Sequence, residues 1–255
     1  MGEIKFDLTR HPEKKGTFLP KKKNPEENLD LPVEGIQQTQ EKAKQFANEF
    51  LEAPEGTVFW ALTSNAPRTQ EARFIFDEEL KYIAKKSGAI VLDLEGKMPN
   101  EEAIAKIKEN KDKKVVLANG PVHSGLGIQN YNIEEYLKII DEKGSEEKVV
   151  SDWKTDPELA KRIGVEYDKV KDGFEKMLNE VEEVSKKLFP DREVWVKGIG
   201  HSGEIEIGIG AYAGKTSAEV LEAGGGKMIS TMESAHITID PDGKRKVMYR
   251  GKELN

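Results

Sequence analysis

EIKFDLTRHPE, residues Glu3–Glu13, alternates apolar Ile4, Phe6 and Leu8 with polar Lys5, Asp7 and Thr9, then stops at Arg10-His11-Pro12. A period of two is the signature of a strand with one buried face, and proline ends the sheet ladder because it has no N–H to donate. The strand therefore delivers an arginine and a histidine to a sheet edge. The chain has only 4 histidines in 255 residues, so the position of each one is informative. Taken alone, Arg10-His11 reads as a surface dipeptide.

Two further segments shift that weighting. In TVFWALTSNAPRTQE, Thr57–Glu71, an apolar run from Val58 to Leu62 empties into Thr63-Ser64-Asn65-Ala66-Pro67 and then Arg68. Small hydroxyl and amide residues before Pro mark a loop turning into a helix, which places Arg68 at a helix N-terminus. In EVWVKGIGHSG, Glu193–Gly203, Val194, Trp195, Val196 and Ile199 form a third core strand, and Gly198, Gly200 and Gly203 bracket His201. Glycines there permit close backbone approach to a ligand, and a helix beginning near Glu204 points its N–H groups at it. Three strands each end in a cationic or imidazole side chain. Open α/β sheets bind ligands outside the carboxyl ends of their strands, so Arg10, His11, Arg68 and His201 converge if these strands are neighbours. Two guanidiniums facing one pocket call for an anion, and their planar forks suit phosphate oxygens.

In these residues the chain resembles the histidine phosphatase superfamily, which includes the cofactor-dependent phosphoglycerate mutases. Leu8-Thr9-Arg10-His11 corresponds to its strand-borne Arg-His signature, with Pro12-Glu13-Lys14 following where most members carry Gly. Leu31 to Gln38 echoes its first helix start, and Ser64 to Arg68 approximates its Ser-Pro-x-x-Arg loop with the proline moved. Val194 to Gly203 matches its late strand-Gly-His segment, with Ala211-Tyr212-Ala213-Gly214 beyond. The strand pair Ser234 to Ile239 and Lys246 to Tyr249, joined at Asp240-Pro241-Asp242-Gly243, completes the order.

The resemblance implies a three-layer α/β/α sandwich with a mostly parallel central sheet and a helical insertion. It implies a single domain over residues 1–255, with an inserted or cap section at about 87–167 that roofs the site. The implied activity is a phosphatase acting on a small phosphomonoester through a phosphohistidine. Mutase-type phosphoryl transfer and a non-catalytic phosphate- or anion-binding module are the alternatives. His11 would be the nucleophile, and flanking positive charge favours the neutral imidazole that attack requires. Arg10 and Arg68 would grip phosphate oxygens and His201 would hydrogen-bond another. The scheme requires no cofactor and no metal, and the sequence has neither cysteine nor close His-x-x-His spacing.

The proton donor to the leaving group stays open at this stage. The resemblance points to an excursion after the arginine helix, at Asp93, Glu95, Glu101 or Glu102. Glu204, after His201, is a second candidate, its catalytic role balanced against the ordinary reading of a carboxylate favouring a helix N-terminus. Glu13 is a third. His123, in KVVLANGPVHSGLG, echoes His201-Ser202-Gly203, but Asn130 to Lys138 is polar and lacks the matching continuation. It reads as a loop histidine near the pocket mouth or an ordinary surface one. His236 reads as a strand histidine facing solvent.

Gly214-Lys215-Thr216 lacks the glycine five residues earlier and the preceding strand of a phosphate-binding loop. Gly200-His201-Ser202-Gly203-Glu204 lacks the closing glycine of a nucleophile elbow, which makes a serine esterase the weaker enzyme class. A net charge of −7 argues against nucleic acid or an anionic membrane as partner; the partner that the resemblance implies is a small phosphorylated molecule or inorganic phosphate. No apolar run reaches membrane-spanning length, and the N-terminus lacks an apolar signal region, which points to a cytoplasmic protein. Lys21-Lys22-Lys23 falls in a long loop, Gly16–Pro32, that reads as solvated.

Overall fold

A computed structural model describes residues 2–12, 31–127 and 131–255. Glu13 and Lys21 to Lys23 lie outside the described residues. The strands β1 (Ile4–Arg10), β2 (Val58–Thr63), β3 (Ile90–Asp93), β4 (Val115–Ala118), β5 (Val194–Gly200), β6 (Ser234–Ile239), β7 (Arg245–Tyr249) and β8 (Lys252–Glu253) form one sheet in the order β3-β4-β2-β5-β1-β6-β7-β8. The first five in that order run parallel and the last three are joined antiparallel.

Strand periodicity builds two cores. Ile4, Phe6, Leu8, Val58, Trp60, Leu62, Val194 and Val196 point to one face. There they meet Phe174, Met177, Leu178 and Val181 of α7 (Tyr167–Leu188), and Ile205 and Ile209 of α8 (Glu204–Tyr212). Phe59, Ala61, Val116 and Ile199 point to the other face, under Phe46 and Phe50 of α1 (Val33–Glu52) and Phe76 and Leu80 of α2 (Pro67–Ser87). Helix–sheet–helix layering of this kind is the three-layer α/β/α arrangement expected from the sequence.

The α1/α2 face also buries an ion pair. Lys197 Nζ donates to Asp7 Oδ1 at 2.9 Å, beneath the rings of Phe46 and Phe76 at 5.4 and 4.9 Å. Burial works against the charged Asp7, but the Lys197 ammonium outweighs it, aided by His236 and Ser234, and holds the carboxyl well below its usual range. Asp7 thereby links β1 to β5 under the site.

The 87–167 excursion divides. Its first part places β3 and β4, with α3 (Glu101–Glu109) between them, on the edge of the main sheet. Its second part, α4 (Ile133–Lys143), α5 (Glu146–Asp152) and α6 (Pro157–Ile163), gathers a small core of its own around Ile139, Val149, Val150, Trp153, Leu159 and Ile163. The 7 residues of α5 are too few for a readable sequence period; Ser145 caps the helix by accepting from Lys148 N. The Gly-Lys-Thr segment has a structural role: Thr216 accepts from Glu219 N and caps α9 (Ser217–Ala223). Among the described residues, no helix is long and apolar enough to cross a membrane.

Asp77, on α2, is buried against Asn119, whose N–H donates to Asp77 Oδ2 at 2.9 Å. Burial raises its pKa to about 6, against the opposing pull of the Asn119 N–H and Arg73. A carboxyl whose folded pKa lies above its unfolded value contributes fully below the unfolded value, and that contribution is lost as pH rises through about 6. Asp77→Asn cannot ionise, so its stability relative to the parent should improve by on the order of 2 kcal/mol between pH 4 and pH 7.5. Urea denaturation at both pH values measures this; an unchanged difference contradicts it.

Candidate active site

Backbone hydrogen bonds clamp the three key strand ends together. His11 N donates to Gly200 O at 2.9 Å and Ser64 N to Ile199 O at 3.2 Å, so β5 holds His201 between the ends of β1 and β2. The imidazoles of His11 and His201 meet edge to face, centroids 4.9 Å apart at 64°. Arg10, His11, Arg68, His201 and Glu204 all line one cavity of about 470 Å³. The convergence inferred from sequence is present.

Each side chain is held by identifiable neighbours. His11 Nδ1 lies 2.6 Å from Pro12 O, a carbonyl that only accepts, so Nδ1 is protonated and, in the neutral ring, Nε2 bears the lone pair. The Pro12 carbonyl is thus the group that fixes the tautomer. Arg68 follows Pro67 at the start of α2, as expected, and its Nη2 donates to His201 Nδ1 at 2.9 Å. With that nitrogen accepting, His201 Nε2–H donates to Ser64 Oγ at 3.0 Å. Ser64 is in turn tied to Thr69 Oγ1 at 2.7 Å. In this arrangement His201 orients the Arg68 guanidinium, a role not anticipated from the sequence.

Arg10 Nη1 donates to Ile229 O at 2.9 Å, while its Nε is buried with no hydrogen-bond acceptor among the described residues. A buried guanidinium N–H without an acceptor fits a site built for an anion. Behind it stands Glu206, fully buried, which accepts from Gly203 N at 2.6 Å, Ile229 N at 2.9 Å and Tyr249 Oη at 2.8 Å. Burial raises the Glu206 pKa against the pull of these donors. Glu206 thus fixes both the turn after His201 and the segment that holds Arg10.

The glycines around His201 act differently from the expectation that they admit a ligand. A β-carbon on Gly200 would lie 2.7 Å from Leu126 O, so this glycine accommodates the chain's own Ser124–Leu126 turn. Gly203, at φ +85°, makes the left-handed turn that starts α8 and brings Glu204 to the cavity.

The open question of the proton donor narrows. Asp93, Glu95, Glu101 and Glu102 do not line this cavity, because β3 is the far edge of the sheet. Three to four strand spacings, roughly 14–19 Å, separate that edge from β5 and β1. The resemblance placed the excursion near the site, but its first part was spent on extending the sheet. Glu204 is 6% exposed and lines the cavity. His123 caps the 124–126 turn, accepting from Gly125 N at 3.0 Å and contacting Glu180 at 3.0 Å, away from the cavity lining. His236 is exposed on β6. The sequence reading missed the rest of the lining, Tyr131, Ile133, Tyr136, Leu137, Ile140 and Glu146. The signal was Tyr131 and Tyr136, within the Asn130 to Lys138 stretch read as polar.

No protein-family model matches the sequence, and no curated protein matches it either. Among solved structures, the chain superposes on a mycobacterial glucosyl-3-phosphoglycerate phosphatase with a TM-score of 0.52 at 11% identity, covering 98% of this chain and 100% of that one. It also aligns with a phosphoglycerate mutase from Plasmodium falciparum at 12% identity, covering 97% and 90%, but its TM-score of 0.35 is too low to carry an argument. At these identities the likeness concerns the fold. The chain shares the three-layer α/β/α fold of that phosphatase, the architecture expected from the sequence.

Proposed function

We propose that this protein hydrolyses a small phosphomonoester through a phosphohistidine on His11. The observation that carries the reading is the edge-to-face pair of imidazoles at 4.9 Å, lining one cavity with two arginines. His11 Nε2 would attack phosphorus, forming the N–P bond as the P–O bond to the leaving group breaks. Arg10 and Arg68 would neutralise charge on the transferring phosphoryl oxygens, with Arg68 aimed by His201 and Ser64. Glu204 would give its proton to the departing oxygen. Its carboxylate would then take a proton from water as that water attacks phosphorus and the N–P bond breaks, restoring His11.

The proton-donor role makes a specific demand. Glu204→Gln should lose at least about 100-fold in turnover of alkyl phosphates, whose leaving groups need a proton, and much less with p-nitrophenyl phosphate, whose leaving group departs as an anion. Steady-state kinetics on both substrates measures this. Equal losses on the two would assign Glu204 a structural role.

A further inference from the structure

The segment from Val122 to Gly127 takes no part in the chemistry proposed above, yet it lies against the groups that carry it. Val122 bridges in parallel to Thr63 at the end of β2, where His123 N donates to Thr63 O at 2.8 Å. The Ser124–Leu126 turn that follows is wedged between α7 and β5. A β-carbon on Gly125 would fall 2.4 Å from Gly173 O of α7, and one on Gly200 of β5 would fall 2.7 Å from Leu126 O. Gly127, at the exit of the turn, lies on the Ser64–His201 pair itself. A β-carbon there would sit 2.7 Å from Ser64 Cβ, 3.1 Å from Ser64 Oγ and 3.3 Å from His201 Cδ2.

That contact has leverage on the site. His201 Nε2 donates to Ser64 Oγ at 3.0 Å, and Nδ1 of the same ring accepts from Arg68 Nη2 at 2.9 Å. In an interior packed this closely, a displacement of Ser64 is passed to the ring, and from the ring to the guanidinium, rather than absorbed. The backbone of Gly127 does not call for glycine, since φ −161° and ψ 150° are extended values that any residue adopts. What the position uses is the missing side chain.

His123 holds the turn in place. Gly125 N donates to its Nδ1 at 3.0 Å, so that nitrogen bears the lone pair and Nε2–H donates to Glu180 Oε2 of α7 at 3.0 Å. The ring thereby satisfies the N–H of a buried glycine and ties the turn to α7.

We propose that the 122–127 segment is a positioning element for the phosphoryl site: Gly127 sets where Ser64 and His201 stand, and His123 fixes the turn that carries Gly127. This inference rests on the proposed phosphomonoester site and assigns residues that aim its Arg68 from outside the cavity lining.

Two readouts test it, one of them independent of turnover. Gly127→Ala adds a methyl group without backbone strain, and circular dichroism should show a folded protein. Its kcat toward p-nitrophenyl phosphate should fall at least about tenfold, since misplacing reacting groups by about 1 Å can cost about 100-fold. In the free protein, imidazole NMR spectra should show His201 leaving its Nε2-protonated, Ser64-bonded state while His236, exposed on β6, stays as in the parent. His123→Ala should lower kcat at least about threefold and move the His201 resonances in the same sense. His123→Asn should restore both, because a carboxamide oxygen accepts from the N–H two residues on. Parent-like kcat and parent-like His201 resonances in Gly127→Ala overturn the proposal, as does a His123→Asn protein no better than His123→Ala. If Gly127→Ala does not fold, the His123 pair decides. If the parent turns over no phosphomonoester, the phosphatase reading fails, and the His201 resonances decide the positioning role by themselves.

Discussion

His11→Ala should lower kcat toward any phosphomonoester that the parent hydrolyses by at least about 1,000-fold, because the substitution removes the atom that bonds to phosphorus. The effect should fall on kcat far more than on KM, since Arg10 and Arg68, the groups proposed to grip the phosphate, are untouched. His11 is 8% exposed, and its ring packs on His201 and on the Pro12 carbonyl, so a modest loss of stability accompanies the change. Thermal unfolding of the variant separates that loss from the loss of chemistry. His11→Asn, which retains a donor toward Pro12 O, should be as inactive as the alanine variant and more stable. Parent-like turnover by either variant would leave the cluster as an anion-binding module without the chemistry assigned to it.

Glu206→Ala should be the most damaging change outside the cavity. It leaves the N–H groups of Gly203 and Ile229 without their shared acceptor inside the protein, and Tyr249 Oη keeps only the Lys227 carbonyl at 3.0 Å. Each buried donor left unsatisfied costs on the order of 1–3 kcal/mol, so a loss of about 3–5 kcal/mol is expected. In a chain of this length that lowers the melting temperature by roughly 10 °C. Activity should fall as well, because Ile229 O holds Arg10 and Gly203 starts the helix that carries Glu204. Glu206→Gln keeps one acceptor oxygen and should recover part of both. Calorimetric scans with kinetics on the surviving folded fraction measure the two effects. Unchanged stability would mean that the Gly203 and Ile229 segments do not depend on this carboxylate.

These two residues show why some of the site was legible in the sequence and some was not. His11, Arg68 and His201 each follow a run of strand-like residues, and a parallel sheet carries such strand ends to a common edge. Their convergence therefore needed only local patterns and a topology rule. Glu206 sits on a helix buried on nearly every side, and its partners lie 3, 23 and 43 residues away. No local period announces a carboxylate whose acceptor capacity is consumed by distant loops. Ser64 was visible as part of a loop, yet its contact with His201 spans 137 residues. The Tyr131–Tyr136 stack was obscured because aromatic residues among Asn, Glu and Lys read as an exposed helix face. They become a cavity wall only once Trp153 and the small core of α4 to α6 pack behind them.

The fold followed the same logic. β1, β2 and β5 were clear because both sheet faces are covered and their apolar content is high. β3 and β4, of 4 residues each, are too short to carry a mark of which sheet they join. Reading the acids beside them as candidates for the proton donor followed from placing that segment near the site. Register with β2 settles the matter, since Val58 pairs with Val115 and the excursion runs away from β5.

The central claim is that four side chains far apart in sequence act on one phosphoryl group. Rapid acid-free quench of the protein with a radiolabelled phosphomonoester, followed by peptide mapping under alkaline conditions, tests it most directly. The account predicts an acid-labile label on the peptide containing His11, absent from His11→Ala and weakened in Arg68→Ala. Turnover with no labelled protein at any quench time, or a label confined to His123, His201 or His236, would contradict it.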